Sequence, residues 1–199
     1  MIETIEKRRS IRRYKNKEVP RYMIEEILRA GCLAPSSKNR QPWQFTVVRG
    51  DAKAEMIKAM EAGLEREKKT PILPGSAKLI QGAEYTLQIM TQAPVIIFIT
   101  NPLGLDIQAS LSPEERIYEI CNVQSVGAAV ENMTLTATEL GLGSLWICDT
   151  YFAYPELCKW LAADGELYAA LAVGYADEDP AKRPRKRWDD IVEWRGEDS

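Results

Sequence analysis

The chain has 199 residues, 45% apolar and 28% charged, with a net charge of −3, four cysteines and no histidine. Without an imidazole, a Ser-His-Asp or Cys-His triad, an HExxH zinc site and a His-based iron site are excluded. The length suits one domain of ordinary size with a buried core.

Cys32, Cys121, Cys148 and Cys158 are widely spaced and form no CxxC pair. They read as reduced, mostly buried thiols of a cytoplasmic protein. Met1 to Glu6 lack the basic and apolar regions of a signal peptide, and apolar runs such as Val95–Ile99 fall far short of the roughly 20 residues of a membrane span. Neither export nor a membrane partner is expected.

In chain order, a short N-terminal helix leads into Arg8-Arg9-Ser10-Ile11-Arg12. Pro20 to Leu33 reads as a helix, with Pro20 in its first turn and Ile24, Ile27, Leu28 and Gly31 on one face. Ala34-Pro35-Ser36-Ser37 stops it, Gln44–Val48 is a short strand, and Asp51–Lys68 is helical. Lys69 to Gly75, with two prolines, is either a lid or plain surface. Ser76–Gln92 is helical, and Pro94–Thr100 is the clearest buried strand.

After a loop over Asn101–Leu111, Ser112-Pro113-Glu114-Glu115 predicts a capping box, and a long helix runs from it to Leu140. Its middle, Val126-Gly127-Ala128-Ala129-Val130, is small and apolar, as in a core helix approached closely on all sides. Gly141 and Gly143 end it. Ser144–Cys148 is a strand, Tyr154–Ala163 a short helix, Tyr168–Tyr175 a strand and Arg187–Val192 a last helical turn. The pattern predicts an α+β sandwich around one sheet, as a single domain over 1–199. No GxxxxGK[ST] or GxGxxG occurs; Gly141-Leu142-Gly143 follows a helix, whereas a Rossmann turn follows a strand.

The near-neutral charge conceals a division. Lys7–Lys17 and Lys182–Arg187 together hold 12 of the 26 basic residues and no acidic ones, leaving 14 basic against 29 acidic elsewhere. An acidic body with two basic islands argues against a broad nucleic-acid surface and suits capture of one small anion. Guanidinium forks match phosphate oxygens, although each island alone is also what a solvated basic face looks like. In Ala34-Pro35-Ser36-Ser37-Lys38-Asn39-Arg40-Gln41-Pro42-Trp43, the amides of Asn39 and Gln41 suit a flat heterocycle, and a plain helix-to-strand loop is the alternative.

Taken in order, RRSIRRY, APSSKNRQPWQF, APVIIF, GAAVENMTLTATELGLGSLWI and LAVGYADEDPAKRPRKRWDDIV resemble the FMN-dependent nitroreductase family, over roughly residues 2 to 192. Residues 53 to 85 are not diagnostic. The resemblance implies a nitroreductase-like α/β sandwich with a mixed central sheet, and an intertwined homodimer whose long central helices pack together. An N-terminal segment of about residues 1–18 would carry phosphate contacts, and a C-terminal arm of about 180–199 would embrace the partner.

By the same resemblance, Arg8 and Ser10 match phosphate and ribityl contacts, Arg9 shares their motif, and Arg12 matches the basic residue near the pyrimidine end of the flavin. Arg183 and Arg185 match a second phosphate clamp, while Pro35, Ser36, Ser37 and Asn39 match a loop supplied by the other protomer. The turn after the WI strand, Cys148-Asp149, would reach flavin N5 through its backbone, without the glycine that many relatives carry. Tyr85 and Gln88 stand where some members have an Asn-x-x-Lys pair, and Gln88 retains a side chain able to bond to the ring edge.

The implied activity is ping-pong transfer of hydride from NAD(P)H through bound FMN to a small-molecule acceptor such as a nitroaromatic or quinone. No metal and no catalytic side chain are expected. A cation at Arg12 favours the anionic reduced ring. The rivals are another reductive reaction on the same fold, such as dehalogenation or enone reduction, and a non-enzymatic module binding RNA or other anions.

Overall fold

The computed structural model describes residues 1–72 and 75–196. Leu73 and Pro74, within the 69–75 stretch, and residues 197–199 of the C-terminal arm lie outside the described residues.

Among the described residues four strands, β1 (Gln44–Arg49), β2 (Val95–Asn101), β3 (Gly143–Ile147) and β4 (Glu166–Gly174), form one sheet in the order β1-β2-β4-β3. The resemblance implied a mixed sheet, but all three strand pairings are antiparallel. The parallel element is a single bridge between Ser10 and Ser144. β2 lies between two neighbours and under helices on both faces, which is why it reads as a continuous apolar run rather than an alternating one.

Side-chain alternation along β2 divides the core. Val95, Ile97 and Ile99 face one layer with Ile24, Ile27, Val126, Val130 and Met133, from α2 (Arg21–Cys32) and α5 (Pro113–Glu139). Ile96 and Phe98 face the other, with Met56, Met60, Ile89 and Leu157, from α3 (Ala52–Lys69), α4 (Ile80–Gln92) and α6 (Tyr154–Leu161). The predicted sandwich is therefore helix, sheet, helix. α1 (Glu3–Lys7) packs against α5.

The start of α5 is built as expected. Glu115 N donates to Ser112 Oγ at 3.3 Å, and Ser112 N donates to Glu115 Oε2 at 2.8 Å, with Pro113 in the first turn. The middle of α5, Val126–Val130, is buried or half-buried, in line with the expected core helix, but the helix start is covered on one face only. Ser125, Val126, Ala129, Met133 and Ala137 are buried, but Ile117, Ile120 and Val123 are 61%, 50% and 55% exposed. Within one protomer the sheet, α2, α1 and the Ser37–Asn39 turn reach α5, and together they leave the side with Ile117, Ile120 and Val123 uncovered.

The thiols also depart from expectation. All four are free, but Cys32 and Cys148 are exposed and Cys121 and Cys158 half-buried, because each sits at an element end or helix flank. The predicted Ser76–Gln92 helix starts as a separate turn at Ser76–Lys78, and the last predicted turn is Trp188–Asp190. No described helix is long and apolar enough to cross a membrane.

Candidate active site

Beyond α1, residues 8 to 15 run extended along the sheet. Ile11 N donates to Ser144 O at 2.9 Å, Lys15 N to Tyr175 O at 2.9 Å, and Asp177 N returns a bond to Arg13 O at 2.9 Å. Close approach needs two glycines. A Cβ on Gly143 would lie 2.7 Å from Ile11 Cγ1, and one on Gly174 would lie 2.5 Å from Pro94 Cδ and 2.9 Å from Tyr14 Cδ1. Tyr14 completes the seam by donating its hydroxyl to Ile11 O at 2.8 Å.

A carboxylate locks this segment to the far end of the chain. Glu178 Oε1 accepts from Arg12 N and, at 3.2 Å, from Arg13 N, while Arg13 Nε reaches Oε2 at 3.4 Å. Glu178 stands at the root of the C-terminal arm, so the arm is brought back over the N-terminal motif.

The result is a cleft of about 270 Å³ lined by Arg8, Arg9, Ser10, Arg12, Arg183 and Arg185, with Lys182 beside them. Both basic islands of the sequence meet here. Glu6 is the one carboxylate among the described lining residues. Arg9 Nη1 donates to Glu6 O at 2.7 Å and Arg8 O at 2.8 Å; Arg12 Nη1 to Ser10 O at 3.3 Å; Arg185 Nη1 to Pro184 O at 3.3 Å. These partners are neutral carbonyls, which orient the guanidinium groups without cancelling their charge. An uncompensated cluster of forked cations is a receptor for an anion.

The other predicted residues fall outside this cleft. The turn Asp149–Ala153 follows β3, and Thr86, buried on α4, donates its hydroxyl to Asp149 Oδ2. Although the Cys148 residue is exposed at the surface, partial desolvation of its sulfur, and then the charge of Asp149, push the thiol up, so it is protonated at neutral pH. Gln88 is exposed on α4.

Pro35, Ser36, Ser37 and Asn39 lie on α5 instead. Ser37 N donates to Ser125 Oγ at 3.2 Å, Gln41 N to Ser36 Oγ at 2.9 Å, and the Arg40 guanidinium sits 4.4 Å from the centre of the Tyr118 ring. Within one chain the predicted residues thus form three groups. Glu178 and Thr86 were missed: the sequence signals neither, since each acts on a residue distant in the chain. Among the described residues no group of His, Cys, Asp or Glu could hold a metal ion.

The model of the Nitroreductase family matches residues 5–175. The chain belongs to the nitroreductase family. Among its relatives, a provisionally named NADH dehydrogenase/NAD(P)H nitroreductase of Archaeoglobus fulgidus is 32% identical over 146 residues, covering 73% of this chain and 66% of that protein. An iodotyrosine dehalogenase 1 homologue of Caenorhabditis elegans is 25% identical over 183 residues, covering 89% of this chain and 55% of that one. The chain therefore spans less than two thirds of these curated relatives. A solved nitroreductase of Desulfovibrio desulfuricans, provisionally named and in complex with FMN, is 30% identical, with a TM-score of 0.71 over 96% of this chain and 94% of that one. This nitroreductase chain shares that fold from its N-terminal arginines to the sheet's last strand.

Proposed function

We propose that the protein is an FMN-dependent oxidoreductase that takes hydride from NAD(P)H and reduces a small-molecule acceptor such as a nitroaromatic or quinone. The observation that carries this reading is the convergence of both basic islands on one cleft, with Glu6 as the one carboxylate among its described lining residues. The donor set fits a phosphate monoester: forked cations, the Ser10 hydroxyl and a volume near 270 Å³ suit a dianion better than they suit an extended polymer.

Arg8, Arg183 and Arg185 would hold the phosphate, with Arg9 and Ser10 beside them. Arg12 lies on the cleft wall, its backbone fixed by Glu178, and would present positive charge toward the pyrimidine end of the ring. The backbone of Cys148 and Asp149 would face the ring's central edge, and the Thr86 bond holds the Asp149 carboxylate back from it. Gln88 would reach the ring edge from α4. FMN, when bound there, would supply the two-electron chemistry that links the two substrates in ping-pong order. The chain itself supplies charge, amide donors and a dry wall, consistent with its lack of histidine.

The same proposal makes the working unit a cytoplasmic homodimer. Ile117, Ile120 and Val123 leave an apolar stripe on α5, and Trp188, Ile191 and Trp194 on the C-terminal arm are each more than 60% exposed. Packing the α5 faces together would carry the Pro35–Asn39 loop toward the partner's cleft. The dehalogenase homologue favours a second reading, in which the same flavin site removes halogen from a phenol.

The test is colour, retention and turnover. The purified protein is expected to bind FMN, with a visible flavin band, and Arg185→Ala to weaken binding by about 1.5–3 kcal/mol, tenfold or more in Kd, as for a lost charged hydrogen bond. A colourless protein that takes up no added FMN overturns the proposal and leaves an anion- or RNA-binding module. Turnover of a panel of nitroaromatics, quinones and halophenols with NADH and NADPH separates the two reductive readings.

A further inference from the structure

A second cavity, of about 290 Å³, lies between the start of β4, the loop preceding α5, the first half of α5 and the turn after β3. It shares no lining residue with the arginine cleft. An irregularity in the sheet creates it. Ile99 pairs with Ala169 but Thr100 pairs with Leu167, so Tyr168 is an extra residue in β4. The bulge sends Tyr168 toward α5, where its hydroxyl donates to Glu119 and accepts from Asn101 Nδ2 at 2.8 Å. Glu119 Oε1 in turn accepts from Leu105 N at 3.2 Å. This side of the cavity is satisfied.

The opposite side is not. Glu166 Oε2 and the Tyr154 hydroxyl are buried in the cavity wall and have no hydrogen-bond partner among the described residues. Buried oxygens of this kind are rare in folded proteins because they have given up water and received nothing. Between the two sides lie Ile107, Leu111 and Val123, with the rings of Tyr151 and Tyr154 stacked at 5.8 Å. Asp106, Glu119 and Glu166 outnumber the single cation, Arg116. Burial first, and then the nearby charges of Asp106 and Glu119, raise the Glu166 carboxyl above its ordinary value.

We propose that this cavity is a binding site for a small organic cation, an ammonium group on an apolar body of about one ring. Glu166 and Tyr154 accept hydrogens from the ammonium group, and Ile107, Leu111 and Tyr151 pack its ring. The terminal torsion of Glu166 is soft, so its free oxygen turns into the cavity at little cost. An anion would meet three carboxylates there, and an uncharged ring would leave the two oxygens unpaired. The site is largely apolar with a few convergent polar groups, as ligand sites usually are. It does not depend on the flavin reading, since no residue of the phosphate clamp takes part.

The experiment is calorimetric titration of the full chain, as purified, with 2-phenylethylamine, and with phenylacetate and 2-phenylethanol as its anionic and neutral counterparts. The amine is expected to bind once per chain with a Kd of order 1 mM or tighter, and the two counterparts at least tenfold more weakly. Glu166→Gln is expected to weaken the amine tenfold or more and Tyr154→Phe severalfold, while Arg185→Ala binds it as the parent does. Tyr154→Phe removes an unpartnered hydroxyl, so it keeps the test open if Glu166→Gln fails to fold. No saturable heat with the amine, equal affinity for all three probes, or undiminished binding by both cavity variants would overturn the proposal.

Discussion

The arginine cleft and the acidic cavity share no lining residue, and they are built by opposite means. The cleft is made from the two ends of the chain, held to the sheet by backbone bonds, two glycines and one carboxylate. Its charges are largely solvated and need no partner to be tolerated. The cavity is made inside the sandwich by a bulge, and its polar atoms have already lost their water. Surface charge announces itself in composition, whereas a cavity of unpaired buried groups exists only once strands and helices have met.

The comparison breaks most severely if the seam under the cleft is disrupted. Gly174→Val places a branched side chain where even a Cβ would lie 2.5 Å from Pro94 and 2.9 Å from Tyr14. A loss of about 1–3 kcal/mol in denaturant unfolding is expected, with weakened FMN retention, because the N-terminal segment must move off the sheet. If stability and flavin affinity were unchanged, residues 8–15 would not be held as described.

A smaller change separates the clamp from the body. Glu178→Ala leaves the amides of Arg12 and Arg13 without their acceptor, at a cost of about 1–2 kcal/mol given the partial exposure of Arg13. Hydrogen exchange at these two amides should quicken and the FMN Kd rise, with Glu178→Gln restoring much of both. Exchange rates that do not change would remove Glu178 from the clamp.

The smallest effect lies in the cavity and is one of pH. Glu166 is raised in the folded state, so the fold binds its proton more tightly than the unfolded chain does. Its favourable contribution is complete below the ordinary glutamate range and is lost as pH rises through the raised titration. Glu166→Gln cannot ionise, so its stability relative to the parent should improve over that interval. Parallel stability curves for the two proteins would show that Glu166 is not desolvated.

Much of the fold was legible because its signals are local. The Ser112–Glu115 capping box, Pro20 at the head of α2 and the apolar run of β2 each occupy a few consecutive residues, and these three elements start and end within a residue or two of expectation. The arginines of the cleft were legible for a different reason: they are charged, clustered and matched by a family pattern. Glu178 was not, since one acid among Asp177, Glu178 and Asp179 looks like any other until Arg12 lies against it. Nor was the one-sided burial of α5, because a small apolar helix centre serves equally for a core and for an interface.

By itself the sequence determined the element order, the absence of imidazole chemistry and the presence of two cationic islands in an acidic chain. These depend on residue type and on neighbours within a few positions. The tertiary structure decided that the islands meet in one cleft, that Glu178 ties them together, and that a bulge at Tyr168 opens a second, oppositely charged cavity. Such facts rest on register and long-range contact, where a shift of one residue turns a side chain to the other face of the sheet.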